Sequence, residues 1–203
     1  MGTVLLKDVW KKYGQVEAVK HLNLKCEEGE FLELLGPSGC GKSSTLRMIA
    51  GLEKVSQGIV QINGQVVNDL EPRDRDIAMA FEAYALYHHL TAYDNIAFPL
   101  KVRRTKAQEV GRRVREISKT LDIEDVLDKL PYNLSGGQQQ RVSFARAMMR
   151  PAQVYLMDEP LSHLDVKQRS QLRSELKRFH SLRKPPSCSS PMTRSRPWPW
   201  RTA

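Results

Sequence analysis

The 203-residue chain has few cysteines and no long apolar run. Its three cysteines, Cys26, Cys40 and Cys188, follow no metal-ligand spacing, and their odd number argues against a disulfide framework. No apolar stretch reaches the roughly 18–20 residues that a membrane-spanning helix requires. The segment from Met1 to Val9 lacks the basic start and apolar run of a signal peptide. These absences predict a protein that is made and kept in the cytoplasm.

The net charge of +9 is unevenly distributed along the chain. Residues 183–203 contain five basic residues and no acidic residue, so they supply five of the nine net charges. A strongly basic domain would suggest nucleic acid as a partner. Because the basic character belongs mainly to the last 21 residues, we expect no nucleic-acid partner.

A glycine-rich segment predicts a phosphate-binding loop. Residues 36–43 match the P-loop pattern, and they stand between an apolar strand pattern and a helical one. In such a loop, backbone N–H groups and a helix N-terminus converge on phosphate oxygens. We expect Lys42 to contact the β- and γ-phosphates as a catalytic residue, and the Ser43 hydroxyl to bind Mg²⁺. The nucleotide-binding residues predicted here are Gly36, Pro37, Ser38, Gly39, Cys40, Gly41, Lys42, Ser43 and Ser44.

Two carboxylates at the end of a predicted strand form the second half of such a site. Residues 154–157 are apolar and are followed by Asp158 and Glu159. Ligands of parallel α/β sheets bind at the carboxyl ends of the strands. We therefore expect Asp158 to hold Mg²⁺ and Glu159 to polarise the attacking water as a general base.

A third motif lies at the start of a predicted helix. Leu134 is followed by Ser135, Gly136, Gly137 and Gln138. Ser135 can cap the helix, but a cap does not explain two adjacent glycines followed by Gln138. The hydroxyl and the backbone N–H groups at this helix start are suited to binding a γ-phosphate.

The three motifs resemble, in order and spacing, those of the ATP-binding-cassette (ABC) ATPases, and the resemblance covers residues 1 to about 182. It implies ATP and Mg²⁺ as cofactors and ATP hydrolysis as the activity. It also implies that Tyr13 stacks on adenine and that Asp165, in the segment after Glu159, belongs to the nucleotide site. The implied partner is a second ABC ATPase subunit, identical or paired, so that each ATP lies between one subunit's P-loop and the other's residues 135–138.

Several segments are most similar to ATPase subunits of bacterial carbohydrate importers, the maltose and glycerol-phosphate type. They are residues 75–79, 84–87, 93–98 and 158–165. The similarity implies transmembrane permease subunits as partners, an indirect link to a solute-binding protein, and a peripheral location at the cytoplasmic face of the inner membrane. Polyamine and iron importers carry close variants, so other small solutes stay open.

Glu82 departs from the family pattern, which has a glutamine that touches Mg²⁺ and water at this position. A carboxylate can ligate Mg²⁺, so we assign Glu82 to the catalytic and metal-binding residues. Unligated, it would face the γ-phosphate. Two unit charges about 4 Å apart at an effective dielectric constant of about 20 interact by roughly 4 kcal/mol, so we expect Glu82 to weaken activity or coupling.

The predicted fold is α/β. Residues 1–82 and 151–182 form a P-loop NTPase core of the ABC ATPase type, and residues 83–150 form an inserted helical subdomain that carries the third motif. Within these regions, Asn63-Gly64 predicts a hairpin turn, and Thr105 with Gln108 matches a capping box.

Residues 183–203 are rich in proline, have no periodicity and are expected to be disordered. We expect the family's last core strands and any C-terminal regulatory domain to be missing. The family's next strand would lie beside residues 154–157, and prolines, which lack N–H donors, cannot replace it. We therefore expect a marginally stable chain and a poor ATPase.

Back-translation of the tail predicts a change of reading frame near Arg183 and Lys184. Read two nucleotides out of frame, with synonymous codon choices, the tail permits a sequence that resembles the family's missing strand, switch histidine and following helix. Met192 followed by Thr193 forces the Asp after that histidine. Two alternatives stay open. The chain is an inert product, from a pseudogene or from a sequencing error, or it is a DNA-associated ABC ATPase.

Overall fold

The computed structural model describes residues 2–34, 36–81 and 84–158, together with the backbone of residues 187–190. The chain forms two compact units. Of the described residues, the first contains 2–34, 36–79, 152–158 and 187–190, and the second contains 80, 81 and 84–151.

The described residues form eight strands and four α-helices. The strands are β1 (Val4–Tyr13), β2 (Val16–Cys26), β3 (Phe31–Glu33), β4 (Gln57–Ile62), β5 (Gln65–Val66), β6 (Ile77–Ala80), β7 (Val154–Asp158) and β8 (Ser187–Ser190). The helices are α1 (Lys42–Ala50), α2 (Ala92–Val102), α3 (Ala107–Thr120) and α4 (Gly136–Met149). None of these four helices is long and apolar enough to cross a membrane.

One sheet of the first unit is antiparallel, with the strand order β2-β1-β4-β5. Strand β1 pairs with β2 on one side and with β4 on the other. Ile62 pairs with Gln65 across a two-residue turn, in which Asn63 and Gly64 have φ values of 54° and 76°. Two consecutive positive φ angles are typical of a type I′ turn, so the predicted hairpin is confirmed.

The other sheet has the strand order β3-β8-β7-β6. Strand β8 runs parallel to both β3 and β7, with Cys188 in register with Leu32 and with Leu156. The expectation that the tail is disordered and leaves β7 without this neighbour is wrong for residues 187–190. These four residues lie between two prolines but contain none, so each has a backbone N–H for the ladder.

The core of the first unit lies between the antiparallel sheet, α1 and β7. Val4, Leu6 and Val9 of β1 are at most 1% exposed. From α1, Leu46 and Ile49 are fully buried and lie three residues apart, so they share one face of the helix. All five residues of β7 are buried, as expected for an interior strand of a parallel sheet.

The second unit contains the contacting helices α2, α3 and α4. Val110 and Val114 of α3 are buried one turn apart, as the apolar stripe of this segment predicts. The predicted capping box of Thr105 and Gln108 is wrong. The N-cap of α3 is Lys106, which makes no side-chain cap hydrogen bond, so Thr105 precedes the cap position, and its N–H donates to the Leu100 carbonyl of α2.

Candidate functional site

The glycine-rich loop before α1 depends on backbone conformations that favour glycine. Gly39 and Gly41 have φ values of +82° and +91°, in the left-handed region. A Cβ atom on Gly41 would lie 2.6 Å from the Ala18 carbonyl oxygen of β2. The loop therefore packs directly on β2, and Gly41 forms the N-cap of α1.

Lys42 is only 7% exposed, although it is the first residue of α1. Its ammonium group donates to the carbonyl oxygens of Gly36 and Pro37, each 3.0 Å away. The loop thus holds one buried cation against its own backbone. Pro37, Ser38 and Gly39 are exposed next to this cation.

Ser43 and Asp158 are 115 residues apart in the chain and meet at the end of β7. The Ser43 hydroxyl donates to the Asp158 carboxylate over 2.8 Å. The Asp158 residue is 2% exposed. A hydroxyl and a carboxylate are hard oxygen donors of the kind that Mg²⁺ prefers, and Mg²⁺ needs few protein ligands because phosphates and water complete its shell. These two residues therefore fit a shared magnesium ion.

Arg75 holds the far end of α1, and sequence reasoning assigned it no function. It is 5% exposed, and its guanidinium donates to the carbonyl oxygens of Met48 and Ile49 at 2.8 and 3.1 Å. Burial lowers the pKa of Arg75 below its ordinary value. A cation at a helix C-terminus complements the helix dipole, so Arg75 anchors the helix that carries Lys42 and Ser43.

Tyr13 lies at the end of β1 and is 43% exposed. The ammonium group of Lys11 stands 4.6 Å from the centre of its ring. Lys11 is another residue that sequence reasoning did not single out. The sequence feature that could have identified it is the two-residue spacing of Lys11 and Tyr13 on one strand, which places both side chains on the same face.

The third motif, in the second unit, forms the predicted helix start. The Ser135 hydroxyl accepts from the N–H of Gln138 at 3.3 Å, and the Gln138 side chain accepts from the N–H of Ser135 at 3.0 Å. This reciprocal capping box opens α4 and leaves Ser135 and Gly136 exposed to solvent. Binding of a γ-phosphate by this motif stays a prediction.

Three residues predicted for the site, Glu82, Glu159 and Asp165, lie outside the described residues. Their catalytic, metal-binding and nucleotide-binding roles stay predictions. Among the described residues, the structure brings Ser43 and Asp158 together and places Lys42 and Tyr13 in the same unit.

Comparison with solved structures supports the predicted fold class. The chain superimposes on the ATP-binding cassette MJ0796, in a dimeric post-hydrolysis state bound to ADP and Pi, with a TM-score of 0.85 and 33% sequence identity. This match covers 94% of the present chain and 88% of the cassette. The predicted α/β fold of the ABC ATPase type is therefore confirmed.

Curated relatives lie among importer subunits. The chain is 54% identical to the trehalose/maltose import ATP-binding protein of Thermococcus litoralis, covering 88% of this chain and 50% of the relative. It is 53% identical to an sn-glycerol-3-phosphate import ATP-binding protein of Agrobacterium fabrum, covering 88% and 51%. It is 52% identical to the oligosaccharides import ATP-binding protein of Bacillus subtilis, covering 89% and 50%. The chain thus spans about half the length of the curated relatives it matches.

A family model described as ABC transporter matches residues 19–162. This stretch contains the phosphate loop, the capped start of α4 and β7. The predicted resemblance to ABC ATPases of the carbohydrate and glycerol-phosphate importer type is confirmed by the family match and by identities of about half the aligned residues. This chain belongs to the ABC transporter family.

Proposed function

We propose that this chain is the ATP-binding and ATP-hydrolysing subunit that energises a membrane importer for sugars or related small solutes. The observation that carries the proposal is the contact between the Ser43 hydroxyl and the Asp158 carboxylate. It joins the phosphate loop to the end of a buried strand, where ligands of parallel sheets bind. The names of the curated relatives support import of sugars or glycerol phosphate.

Each residue has a distinct part in the proposed chemistry. The phosphate loop and the cation of Lys42 bind the β- and γ-phosphates, because their charge attracts the developing negative charge of the transferred group. Ser43 and Asp158 hold Mg²⁺, which neutralises phosphate charge when bound, with Glu82 as a further candidate ligand. Glu159 orients and deprotonates the attacking water.

The proposed partners follow from the expectation that one chain carries only half of each nucleotide site. One nucleotide would bind between the phosphate loop of one subunit and residues 135–138 of a second subunit, identical or paired. The dimeric state of the cassette MJ0796 supports this arrangement. Permease subunits would bind the dimer at the cytoplasmic face of the inner membrane, and a solute-binding protein would act through them.

We further propose that this chain hydrolyses ATP slowly. If it does not ligate Mg²⁺, the carboxylate of Glu82 would face the γ-phosphate. Residues 183–203 contain no histidine that could serve as the switch histidine of ABC ATPases. ATP binding itself depends on the phosphate loop and is expected to persist.

Replacement of Lys42 tests the nucleotide site. In Lys42→Ala, we expect ATP affinity, measured by fluorescence titration in the presence of Mg²⁺, to fall below detection, because the buried cation is lost. Lys20→Ala is the matched control, since Lys20 is 62% exposed on β2. Unchanged ATP affinity in Lys42→Ala contradicts the proposed site.

Replacement of Glu159 tests the hydrolytic step separately from binding. We expect Glu159→Gln to retain ATP affinity while turnover falls at least a hundredfold, since a general base contributes about 10²–10⁴-fold. Size-exclusion chromatography with ATP should then show an increased dimer fraction. Full turnover in this variant removes Glu159 as the base.

A further inference from the structure

Lys11 lies at the centre of a small charged cluster on the first unit. It is 8% exposed, and its ammonium group is 2.8 Å from both the Glu53 carboxylate and the Lys54 carbonyl oxygen. The same ammonium group stands 4.6 Å from the centre of the Tyr13 ring. A largely desolvated cation at this distance attracts the ring face through the ring's quadrupole.

Glu53 connects this cluster to the phosphate-loop helix. Its N–H donates to the carbonyl oxygen of Arg47, in the last turn of α1. The hydrogen bond from Lys11, with a smaller contribution from the Tyr13 hydroxyl, lowers the pKa of the Glu53 carboxyl. Lys11 therefore contacts both the face of the Tyr13 ring and the Glu53 carboxylate.

The cluster is one strand away from the phosphate loop. Lys11 of β1 pairs with Val19 of β2. A Cβ atom on Gly41 of the loop would lie 2.9 Å from a methyl group of Val19. Tyr13 follows Lys11 by two residues on β1, and this residue is 43% exposed. We therefore expect a planar group attached to a bound triphosphate to reach the Tyr13 ring.

We propose that Lys11 is a positioning residue for the nucleotide base, which holds the Tyr13 ring in the orientation that stacks on the base. This inference rests on the proposed nucleotide-binding function. A ring that is already fixed loses little conformational freedom when the base stacks, so more of the stacking energy contributes to affinity. Lys11 therefore affects binding of the base and leaves binding of the phosphates unchanged.

The test compares two ligands on the full chain. Titration calorimetry with Mg²⁺ measures the affinity for ATP and for inorganic tripolyphosphate, which has the phosphates but no base. Lys11→Met keeps an unbranched apolar side chain and removes the cation. We expect it to weaken ATP binding about fivefold to tenfold, the range of one cation–π contact, with an unchanged affinity for tripolyphosphate.

Lys12→Met is the matched control. Lys12 is the next residue, and its ammonium group pairs with Glu17 at 3.0 Å and lies 5.5 Å from the Trp10 ring. We expect it to change neither affinity, whereas Lys11→Arg should restore most of the ATP affinity because a guanidinium also stacks on aromatic rings. If Lys11→Met does not fold, Glu53→Gln is measured in its place. We expect this variant to lose less ATP affinity than Lys11→Met and to keep its affinity for tripolyphosphate.

The outcomes separate this inference from the proposed function. An equal loss for ATP and tripolyphosphate in Lys11→Met, or no loss for either, overturns the positioning role while the nucleotide site stands. A parent chain that binds neither ligand overturns the proposed function and this inference with it.

Discussion

At the scale of single residues, the contact of Ser43 with Asp158 joins the two halves of the candidate site. The serine is the second residue of α1 and the aspartate is the last residue of β7, so the backbone of two different elements sets their 2.8 Å distance. Both side chains are short and cannot reach far. Their proximity therefore reports the position of α1 relative to β7.

We predict that Asp158→Asn separates metal-dependent from metal-free binding. A neutral amide is a weaker Mg²⁺ ligand than a carboxylate, so ATP affinity in Mg²⁺ should fall at least tenfold. In a chelator, the variant should bind ATP no more weakly than the parent, because the carboxylate that repels phosphate is gone. Asp122→Asn, at a side chain that is 81% exposed, is the control. Equal losses in both buffers would contradict a metal-binding role.

Glu82 yields a second prediction at this scale. In the transporter reconstituted with its permease, Glu82→Gln should raise the transport-coupled ATPase rate, because the neutral amide does not repel the γ-phosphate. The comparison is between this variant and the parent under the same Mg²⁺ and ATP concentrations. A lower rate in Glu82→Gln would show that the carboxylate assists the reaction.

At the scale of elements, α1 is held at both ends. Its N-terminus is joined to β7 through Ser43, and its C-terminal carbonyl groups accept from Arg75. Gly51 allows the close approach of this guanidinium, since a Cβ atom there would lie 2.5 Å from the Arg75 Nε. The helix that carries the phosphate-binding residues is thus fixed by a cation far from the loop in sequence.

We predict that Arg75→Gln lowers the free energy of unfolding by about 3 kcal/mol, because several buried carbonyl groups lose their donors and each unsatisfied group costs about 1–3 kcal/mol. Chemical denaturation of the variant and the parent measures the difference. Arg73→Gln, at a side chain that is 84% exposed, should change stability by less than about 0.5 kcal/mol. Equal effects of the two substitutions on the free energy of unfolding would show that the buried contacts of Arg75 do not stabilise the protein.

At the scale of the whole molecule, β8 changes the expectation for residues 183–203. The strand lies between β3 and β7 and pairs with both. A central strand must donate and accept hydrogen bonds on both sides, and a loss of this strand would leave β3 without a partner and one side of β7 unpaired. The expected low stability of the chain therefore no longer follows from an uncovered edge of β7.

We predict that Cys188→Pro lowers the melting temperature more than Cys188→Ala does. Proline removes the backbone N–H of a strand with neighbours on both sides, whereas alanine keeps it. The expected difference is about 3 kcal/mol in unfolding free energy, measured by thermal and chemical denaturation of the full chain. Identical stabilities for the two variants would show that pairing of β8 does not stabilise the protein.

The change of reading frame near Arg183 and Lys184 stays a prediction. Sequencing of both DNA strands across these codons tests it directly. The ATPase rate and the melting temperature are then compared between a frame-restored chain and the present chain. Because both chains contain Glu82, a difference between them measures the effect of the tail alone.

Features that depend only on residues adjacent in the sequence could be predicted from the sequence. The phosphate loop, the Asn63-Gly64 turn and the Ser135 cap are each built from a few consecutive residues, whose backbone preferences hold in almost any surroundings. The meeting of Ser43 with Asp158 was also expected, because parallel strands present their carboxyl ends at one edge. The family membership followed from the order of these motifs.

Only the tertiary structure decided the contacts of Lys11, Arg75 and β8. Lys11 and Arg75 bind carbonyl groups and side chains that are up to 43 residues away, and no local pattern predicts which oxygen a long flexible side chain will reach. Thr105 does not cap α3, because the N-cap position is taken by the next residue, Lys106. Residues 187–190 have no strand periodicity of their own, and they form a strand because β3 and β7 present backbone groups on both sides.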